Sequence, residues 1–251
     1  MPPVYLTAGS GRRRLSRSGC VGVSCNNVGM SAESPNTPVL DHDVVLWSAD
    51  EATRTGRPLL VLLHGYGSHE GDLFGLVPSL PDAFAYAAVR APLAPPFPTP
   101  GHSWYPIDGL DGRDPSHVTA AASALVSWID RVAPDVPVGL LGFSQGGAVS
   151  LQALRLQPER FAFAVNLSGY VTPGDLPGDA TIAESRPPVF WGRGTADEVI
   201  PPALIDHTTQ WLPGHADLSG RVYPGLTHSV SEQEMSDVRV FLEKQLETLG
   251  G

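Results

Sequence analysis

Basic residues are scarce in this sequence, which has 16 lysines and arginines against 26 aspartates and glutamates and a formal net charge of -10. Because contacts to nucleic-acid phosphates need clustered positive charge, this balance argues against a nucleic-acid-binding protein. The same negative charge is unfavourable for docking on an anionic membrane surface. Four arginines do cluster, but they lie together at the front of the chain, at positions 12, 13, 14 and 17.

Cysteine is equally rare. Cys20 and Cys25 are the only two, and both fall in the same front segment. The rest of the chain therefore carries no disulfide framework. A structural metal site needs about four ligands, and no second pair of ligands accompanies the two cysteines. The sequence thus predicts no metal site.

The front of the chain also lacks a long apolar run. Residues 15–28 are interrupted by serine, arginine, glycine and asparagine, whereas a secretory signal needs an apolar stretch of about 7–15 residues. We therefore expect no export signal, no stable membrane insertion and a cytoplasmic location. Residues 1–37 are predicted to be a disordered N-terminal extension, and residues 38–251 have the length of a single domain.

From residue 39 onward, apolar runs alternate with helical patterns, which is typical of an α/β protein. Several runs are continuous rather than alternating, as in parallel strands buried on both faces. The pattern predicts a mostly parallel central sheet flanked by helices. At the C-terminus, Ser231 and Glu234 form a capping-box pattern that predicts the start of a helix. The predicted strands are residues 44–47, 58–65, 84–92, 138–144, 161–169, 187–194 and 220–225.

One motif points to chemistry. The segment Gly142-Phe143-Ser144-Gln145-Gly146-Gly147 follows a predicted buried strand and precedes a predicted helix. In that context G-x-S-x-G is typical of a nucleophile elbow, where a tight turn holds the serine hydroxyl clear of the sheet. The glycines allow the two arms of the turn to approach where a Cβ would clash. We therefore predict that Ser144 is a catalytic nucleophile.

A serine hydroxyl needs a base, and the base needs an acid to orient it. In this topology the chain order is serine, acid, histidine. His228 follows the last predicted strand and is our candidate base, with His215 as the rival. Asp197 follows the strand before it and is our candidate acid. Asp175 and Asp179 remain as possible substitutes, whereas Glu198, directly after Asp197, is expected to point in another direction.

Acyl transfer also builds an oxyanion, which two preorganised N–H groups can stabilise. The backbone N–H of Gln145, directly after the nucleophile, is one candidate donor. The second candidate is the backbone N–H of Tyr66, in the glycine-containing turn that follows the strand at 58–65. His64 is expected to be a structural residue of that turn rather than a base.

Five segments together resemble the phospholipase/carboxylesterase family of serine hydrolases: "LLHGYGS", "HSWYPI", "GFSQGGAVSLQ", "PVFWGRGTADEVIP" and "YPGLTHSV". The resemblance runs from about Leu59 to the terminal helix. It implies an α/β-hydrolase fold without a cap domain, and no metal or organic cofactor. It also implies a Ser144, Asp197 and His228 triad, oxyanion donors at Tyr66 and Gln145, and a place for Trp104 near the acyl pocket.

The substrate expectation rests on three aromatic residues of the proline-rich segment 91–106, namely Phe97, Trp104 and Tyr105. Near an uncapped site they predict an open apolar cleft for a small-molecule ester with a short to medium acyl chain. The alternatives are an acyl-thioesterase or lysophospholipase acting on longer chains, and a non-catalytic α/β-hydrolase that only binds. The sequence leaves the oligomeric state open, a homodimer included.

Overall fold

The structure, a computed structural model, describes residues 38–107 and 113–250. The predicted N-terminal extension, residues 1–37, lies outside the described residues, and Cys20 and Cys25 lie there with it. A compact unit runs from Pro35 to Gly251. Among the described residues, no helix combines the length and the apolar character needed to cross a membrane.

Within the described residues, seven strands form one sheet, and each overlaps one of the seven predicted runs. They are β1 (Leu46–Trp47), β2 (Leu59–Leu63), β3 (Ala85–Val89), β4 (Val138–Phe143), β5 (Phe163–Leu167), β6 (Pro188–Gly194) and β7 (Asp217–Tyr223). Their spatial order is β1-β3-β2-β4-β5-β6-β7. The pair β1 and β3 is antiparallel and every other neighbouring pair is parallel, so the predicted mostly parallel sheet is confirmed.

Helices cover both faces of the sheet. They are α1 (Glu51–Arg54), α2 (Glu70–Phe74), α3 (Pro115–Val132), α4 (Gln145–Leu156), α5 (Asp179–Ser185), α6 (Pro202–His215) and α7 (Glu232–Gly250), with 3₁₀ turns at His42–Val44 and Val77–Ser79. The core on one face includes residues of α3, α4, α5 and α6. The core on the other face includes residues of α2 and α7.

The continuous apolar runs follow from this double cover. Every residue of β2 is buried, with Leu59, Val61 and Leu63 in one core and Leu60 and Leu62 in the other. Since successive side chains of a strand point to opposite faces, a strand covered on both sides needs apolar residues at every position. The same holds for β3 and β5, whose residues are all buried.

The capping pattern before α7 is confirmed in one half. The backbone N–H of Glu234 donates to Ser231 Oγ at 3.1 Å. The carboxyl group of Glu234, which should reach back in a capping box, instead lies inside the protein, where the residue is fully buried. It lies so close to Gly192 of β6 that a Cβ there would come within 2.1 Å of Glu234 Oε1. The predicted reciprocal bond is therefore wrong, because the side chain packs against the sheet.

Candidate active site

Ser144 sits at the bend between β4 and α4. Its φ of 54° is in the region that L-residues rarely adopt, and its N–H donates to the carbonyl of Leu167 at 2.8 Å. A Cβ on Gly142 would lie 2.2 Å from the Gly146 carbonyl oxygen, and one on Gly146 would lie 2.0 Å from that of Leu63. Only glycine fits at either position, so the strand-turn-helix context predicted for this motif is confirmed.

The structure brings together the three side chains selected from the sequence. His228 Nε2 lies 2.8 Å from Ser144 Oγ. On the other side of the ring, His228 Nδ1 lies 2.7 Å from Asp197 Oδ2. The side chain of Asp197 is 2% exposed and that of His228 is 15% exposed. A hydroxyl, an imidazole and a carboxylate thus form one continuous hydrogen-bonded chain.

The carboxylate of Asp197 is itself held in place. Its Oδ1 accepts backbone N–H groups of Val199 at 2.9 Å and Ile200 at 3.2 Å. These bonds leave Oδ2 to face the imidazole. A carboxylate oriented in this way fixes the tautomer with a proton on His228 Nδ1, so that Nε2 is free to accept the proton of Ser144.

The rival residues are placed elsewhere. His215 ends α6 rather than lying in a loop, and its ring stacks on Trp211 at 3.8 Å between centroids. Asp179 forms an ion pair with Arg155 at 2.8 Å. Glu198 and Asp175 are both exposed. Within the described residues, these four side chains make no hydrogen bond or ring contact with Ser144 or His228.

The two candidate oxyanion donors line the same cavity as Ser144. Gln145 is the first residue of α4, and Tyr66 lies in the turn between β2 and α2. In that turn the N–H of Gly67 donates to His102 and the N–H of Ser68 donates to Gly65. Since the Gly67 and Ser68 N–H groups already donate to backbone carbonyls, the Tyr66 N–H remains the candidate oxyanion donor from this turn.

His64 anchors the turn, as expected of a structural residue. It is 1% exposed, and its Nε2 accepts the backbone N–H of Ala91 at 3.1 Å. The ring proton is therefore on Nδ1, which donates to the Gly65 carbonyl at 2.7 Å. Burial lowers the pKa of His64 from 6.5 to about 4, so the ring is neutral at physiological pH.

Sequence reasoning missed the role of the Gln145 side chain, which is 2% exposed. Its Oε1 accepts the backbone N–H of Trp104 at 2.8 Å, and its Nε2 donates to the carbonyl of Tyr105 at 2.7 Å. The residue after the nucleophile thus also fastens the loop that carries Tyr105. The sequence indicates only that a residue with a side-chain amide follows the nucleophile, and this does not predict its bonds to Trp104 and Tyr105.

The cavity beside Ser144 has a volume of about 300 Å³. Of the three aromatic residues predicted to line the pocket, Tyr105 does so. Phe97 does not, because the proline-rich loop carries it outward, where it is 97% exposed. Trp104 does not either, because it is buried beneath the turn, with Nε1 donating to the His64 carbonyl at 2.9 Å. We therefore correct the pocket prediction at Phe97 and Trp104.

The remaining lining was not predicted. Residues that contribute apolar surface to it are Ile107, Phe143, Val199 and Ile200, and those that contribute polar groups are Ser68, Asp72, Arg113 and Tyr170. Tyr170 lies three residues past β5, at the edge where parallel strands end and where open α/β sheets bind ligands. That rule would have selected it. Across residues 38–107 and 113–250, no three histidines, cysteines or acids are grouped in a way that suits a metal ion.

Comparison with known proteins agrees with this fold. The sequence pattern of the phospholipase/carboxylesterase family matches residues 46–246. Acyl-protein thioesterase 1 of Debaryomyces hansenii is 28% identical over 220 residues, which is 77% of this chain and 93% of the relative. A probable inactive carboxylesterase of Oryza sativa subsp. japonica is 29% identical over 215 residues, 76% of this chain and 86% of the relative.

The fold likeness extends to solved structures. The crystal structure of Zea mays acyl-protein thioesterase 2 superposes with a TM-score of 0.68 and 23% identity, covering 80% of this chain and 98% of the maize chain. The sheet order, the flanking helices and this likeness identify the α/β-hydrolase fold. Since the family pattern also spans most of the sequence, the chain belongs to the phospholipase/carboxylesterase family, a family of hydrolases.

Proposed function

We propose that this protein is a serine carboxylesterase that hydrolyses esters of short to medium acyl chains through an acyl-enzyme. The observation that carries the proposal is the hydrogen-bonded chain from Ser144 through His228 to Asp197, with both of its distances below 3 Å. Each group is of the type that nucleophilic acyl transfer requires, and each stands in the order expected for this fold.

In the proposed reaction, His228 Nε2 takes the proton of Ser144 as Oγ attacks the ester carbonyl carbon. Asp197 stabilises the imidazolium that forms. The carbonyl oxygen becomes an oxyanion, which accepts the backbone N–H groups of Tyr66 and Gln145. His228 then gives the proton to the leaving alkoxide as the C–O bond breaks. Water, activated by the same imidazole, hydrolyses the acyl-enzyme and regenerates the Ser144 hydroxyl.

Cavity size supports the short to medium chain length. About 300 Å³ beside Ser144 lies at the lower limit of the volumes usual for drug-sized ligands, about 300–1,000 Å³. Its wall also includes a guanidinium and a carboxylate, from Arg113 and Asp72. A long acyl chain would have to displace water from these charged groups, which costs free energy.

The direct test replaces Ser144 by alanine and measures hydrolysis of 4-nitrophenyl butyrate. We expect kcat to fall by about 10⁴-fold or more, because removal of the nucleophile leaves only binding and the oxyanion donors. Ser150→Ala is the matched control. Ser150 is a buried serine of α4, the helix that follows Ser144, and its Oγ donates to the Gly146 carbonyl at 2.9 Å. Near-full activity of folded Ser144→Ala protein would refute the assignment.

An acyl-thioesterase is the second candidate, favoured by the likeness to a protein named acyl-protein thioesterase. Both reactions use the same triad, so the leaving group and the acyl length must separate them. A scan of 4-nitrophenyl esters and acyl-thioesters from two to sixteen carbons is the suitable measurement. A carboxylesterase shows its highest kcat/KM on the short oxygen esters, whereas a maximum on long acyl-thioesters would replace our proposal by this one.

A non-catalytic binding protein is the third candidate, since a relative is named as inactive. Labelling with a fluorophosphonate tests it directly, because the probe forms a bond only with an activated serine. We expect labelling of the wild type and of Ser150→Ala, and none of Ser144→Ala. Folded wild-type protein that stays unlabelled would favour the binding role.

A further inference from the structure

One wall of the cavity beside Ser144 carries a positive charge next to two phenols. Tyr105 and Tyr170 both line the cavity, and their hydroxyl oxygens lie 2.6 Å apart. The guanidinium carbon of Arg113 lies 5.8 Å from the centre of the Tyr170 ring. Burial raises the pKa of both phenols, so neither supplies a negative charge to this wall.

We propose that this wall, with Arg113 as its charged member, selects acyl groups that end in a carboxylate. This inference rests on the proposed function and names the substrate class of the same site. Arginine presents several N–H donors in a plane that matches a carboxylate. The adjacent phenols add hydrogen-bonding hydroxyls at the same wall. The expected substrate is the half-ester of a short dicarboxylic acid.

Hydrogen bonds link this wall to Gln145, the residue directly after the nucleophile. His228 Nε2 must reach the leaving alkoxide, so the alcohol part departs toward His228. The backbone of Tyr105 is fastened instead to the side chain of Gln145, whose N–H faces the oxyanion in the proposed reaction. Its hydroxyl then reaches Tyr170, and Tyr170 reaches Arg113. Since Ser144 and Arg113 line the same cavity, an acyl group bound to Ser144 lies in the cavity that this cation borders.

The apolar lining fits the middle of such a substrate. Ile107 and Ile200 line the cavity with these polar groups, and they suit a few methylene groups between two carboxyl carbons. The acidic member of the lining, Asp72, accepts a hydrogen bond from Ser68 Oγ at 2.7 Å. Both of those residues belong to the segment that follows Tyr66, which is far from Arg113 along the sequence.

The experiment compares monoethyl adipate with ethyl hexanoate, which have acyl chains of equal length, by titrating the acid released at constant pH. We expect the wild type to show the higher kcat/KM on monoethyl adipate. Arg113→Gln should lower kcat/KM on monoethyl adipate by about 10- to 100-fold, the range for a hydrogen bond to a charged group. On ethyl hexanoate the same variant should stay within about 3-fold, and Arg113→Lys should recover part of the loss.

Arg221→Gln serves as the control for overall charge, because Arg221 has a 51% exposed side chain and is not among the lining residues. An equal loss on both esters in Arg113→Gln would overturn the proposal, and so would a wild-type preference for ethyl hexanoate. If Arg113→Gln does not fold, the wild-type comparison alone decides. Failure of the proposed carboxylesterase function would look different, since the wild type would then hydrolyse neither ester.

Discussion

The side-chain amide of Gln145 donates to the carbonyl of Tyr105 at 2.7 Å. Gln145 lines the cavity beside Ser144, where we propose its backbone N–H as an oxyanion donor, and its side chain also holds the loop that forms one cavity wall. Because both ends of this bond are buried, the loop that carries Tyr105 cannot shift without leaving a polar group unpaired.

Gln145→Ala should weaken both the fold and the reaction. The change leaves the buried Trp104 N–H without its partner, which costs about 1–3 kcal/mol. The Tyr105 carbonyl loses one of its two donors and still accepts Ser103 Oγ at 2.6 Å. We expect a matching loss in the free energy of unfolding measured with urea, and a lower kcat/KM on aryl esters. Gln157→Ala, at an exposed glutamine just past α4, should change neither by more than about 0.5 kcal/mol. If Gln145→Ala were as stable as the wild type, the Gln145 side chain would not stabilise the loop that carries Trp104 and Tyr105.

Local sequence patterns predicted much of the fold and the triad because both obey short-range rules. Every residue of Leu59–Leu63 is apolar because helices cover both faces of the sheet and bury both sides of this strand. Gly142 and Gly146 approach each other so closely that only glycine fits at either position. The glycines of the motif therefore predict the tight turn. Asp197 and His228 could be predicted from the sequence because each follows a strand, and the ends of parallel strands meet at one edge of the sheet.

The pocket could not be predicted in the same way. Phe97 and Trp104 are both aromatic and lie in the same proline-rich loop, yet one is 97% exposed and the other 1% exposed. Composition cannot separate them, because Trp104 is held by long-range bonds, from Nε1 to the His64 carbonyl and from its backbone N–H to Gln145 Oε1. Arg113 and Tyr170 join the pocket through similar contacts between distant segments.

Asp197→Asn should abolish most activity without unfolding the protein. The asparagine oxygen can still accept the N–H groups of Val199 and Ile200, which hold the native side chain. Its amide nitrogen then faces His228 and favours the tautomer with the proton on Nε2, which cannot take the proton of Ser144. We expect kcat on an aryl ester to fall by about 10³- to 10⁴-fold, with a melting temperature near that of the wild type. Glu198→Gln, at the exposed neighbour, should stay within about 2-fold; a similar loss there would argue against a specific role for Asp197.

Acidification should destabilise the protein through His64. Its pKa is about 4 in the folded state against about 6.5 in an unfolded chain. Above pH 6.5 the ring is neutral in both states and has no effect. Between pH 6.5 and pH 4 only the unfolded state takes up the proton, so stability falls by about 3 kcal/mol in total.

The measurement for His64 is urea unfolding at a series of pH values in wild type and His64→Gln. Glutamine can accept the Ala91 N–H but does not titrate, so its stability should fall less steeply from pH 6.5 to pH 4. Parallel curves for the two proteins would show that His64 does not titrate in this way.

A rise in pH from about 4.5 to 7 should destabilise the protein through Glu234. The side chain is fully buried, and neither carboxyl oxygen has a hydrogen-bond partner among the residues that the structure describes. Burial raises the pKa of Glu234 from 4.5 to about 7. A raised carboxyl pKa means that the full contribution to stability is present below pH 4.5 and is lost as the pH rises through 7. The loss amounts to about 3 kcal/mol.

Glu234→Gln removes this titration while keeping the shape of the side chain against Gly192. We expect the variant to gain stability relative to the wild type as the pH rises from 5 to 8, measured by urea unfolding at each pH. Glu232→Gln is the matched control, since Glu232 is an exposed residue of the same helical turn, and its difference from wild type should not depend on pH. If the difference between Glu234→Gln and wild type were the same at pH 5 and pH 8, Glu234 would be ionised in the folded protein at both pH values, and the predicted titration would be wrong.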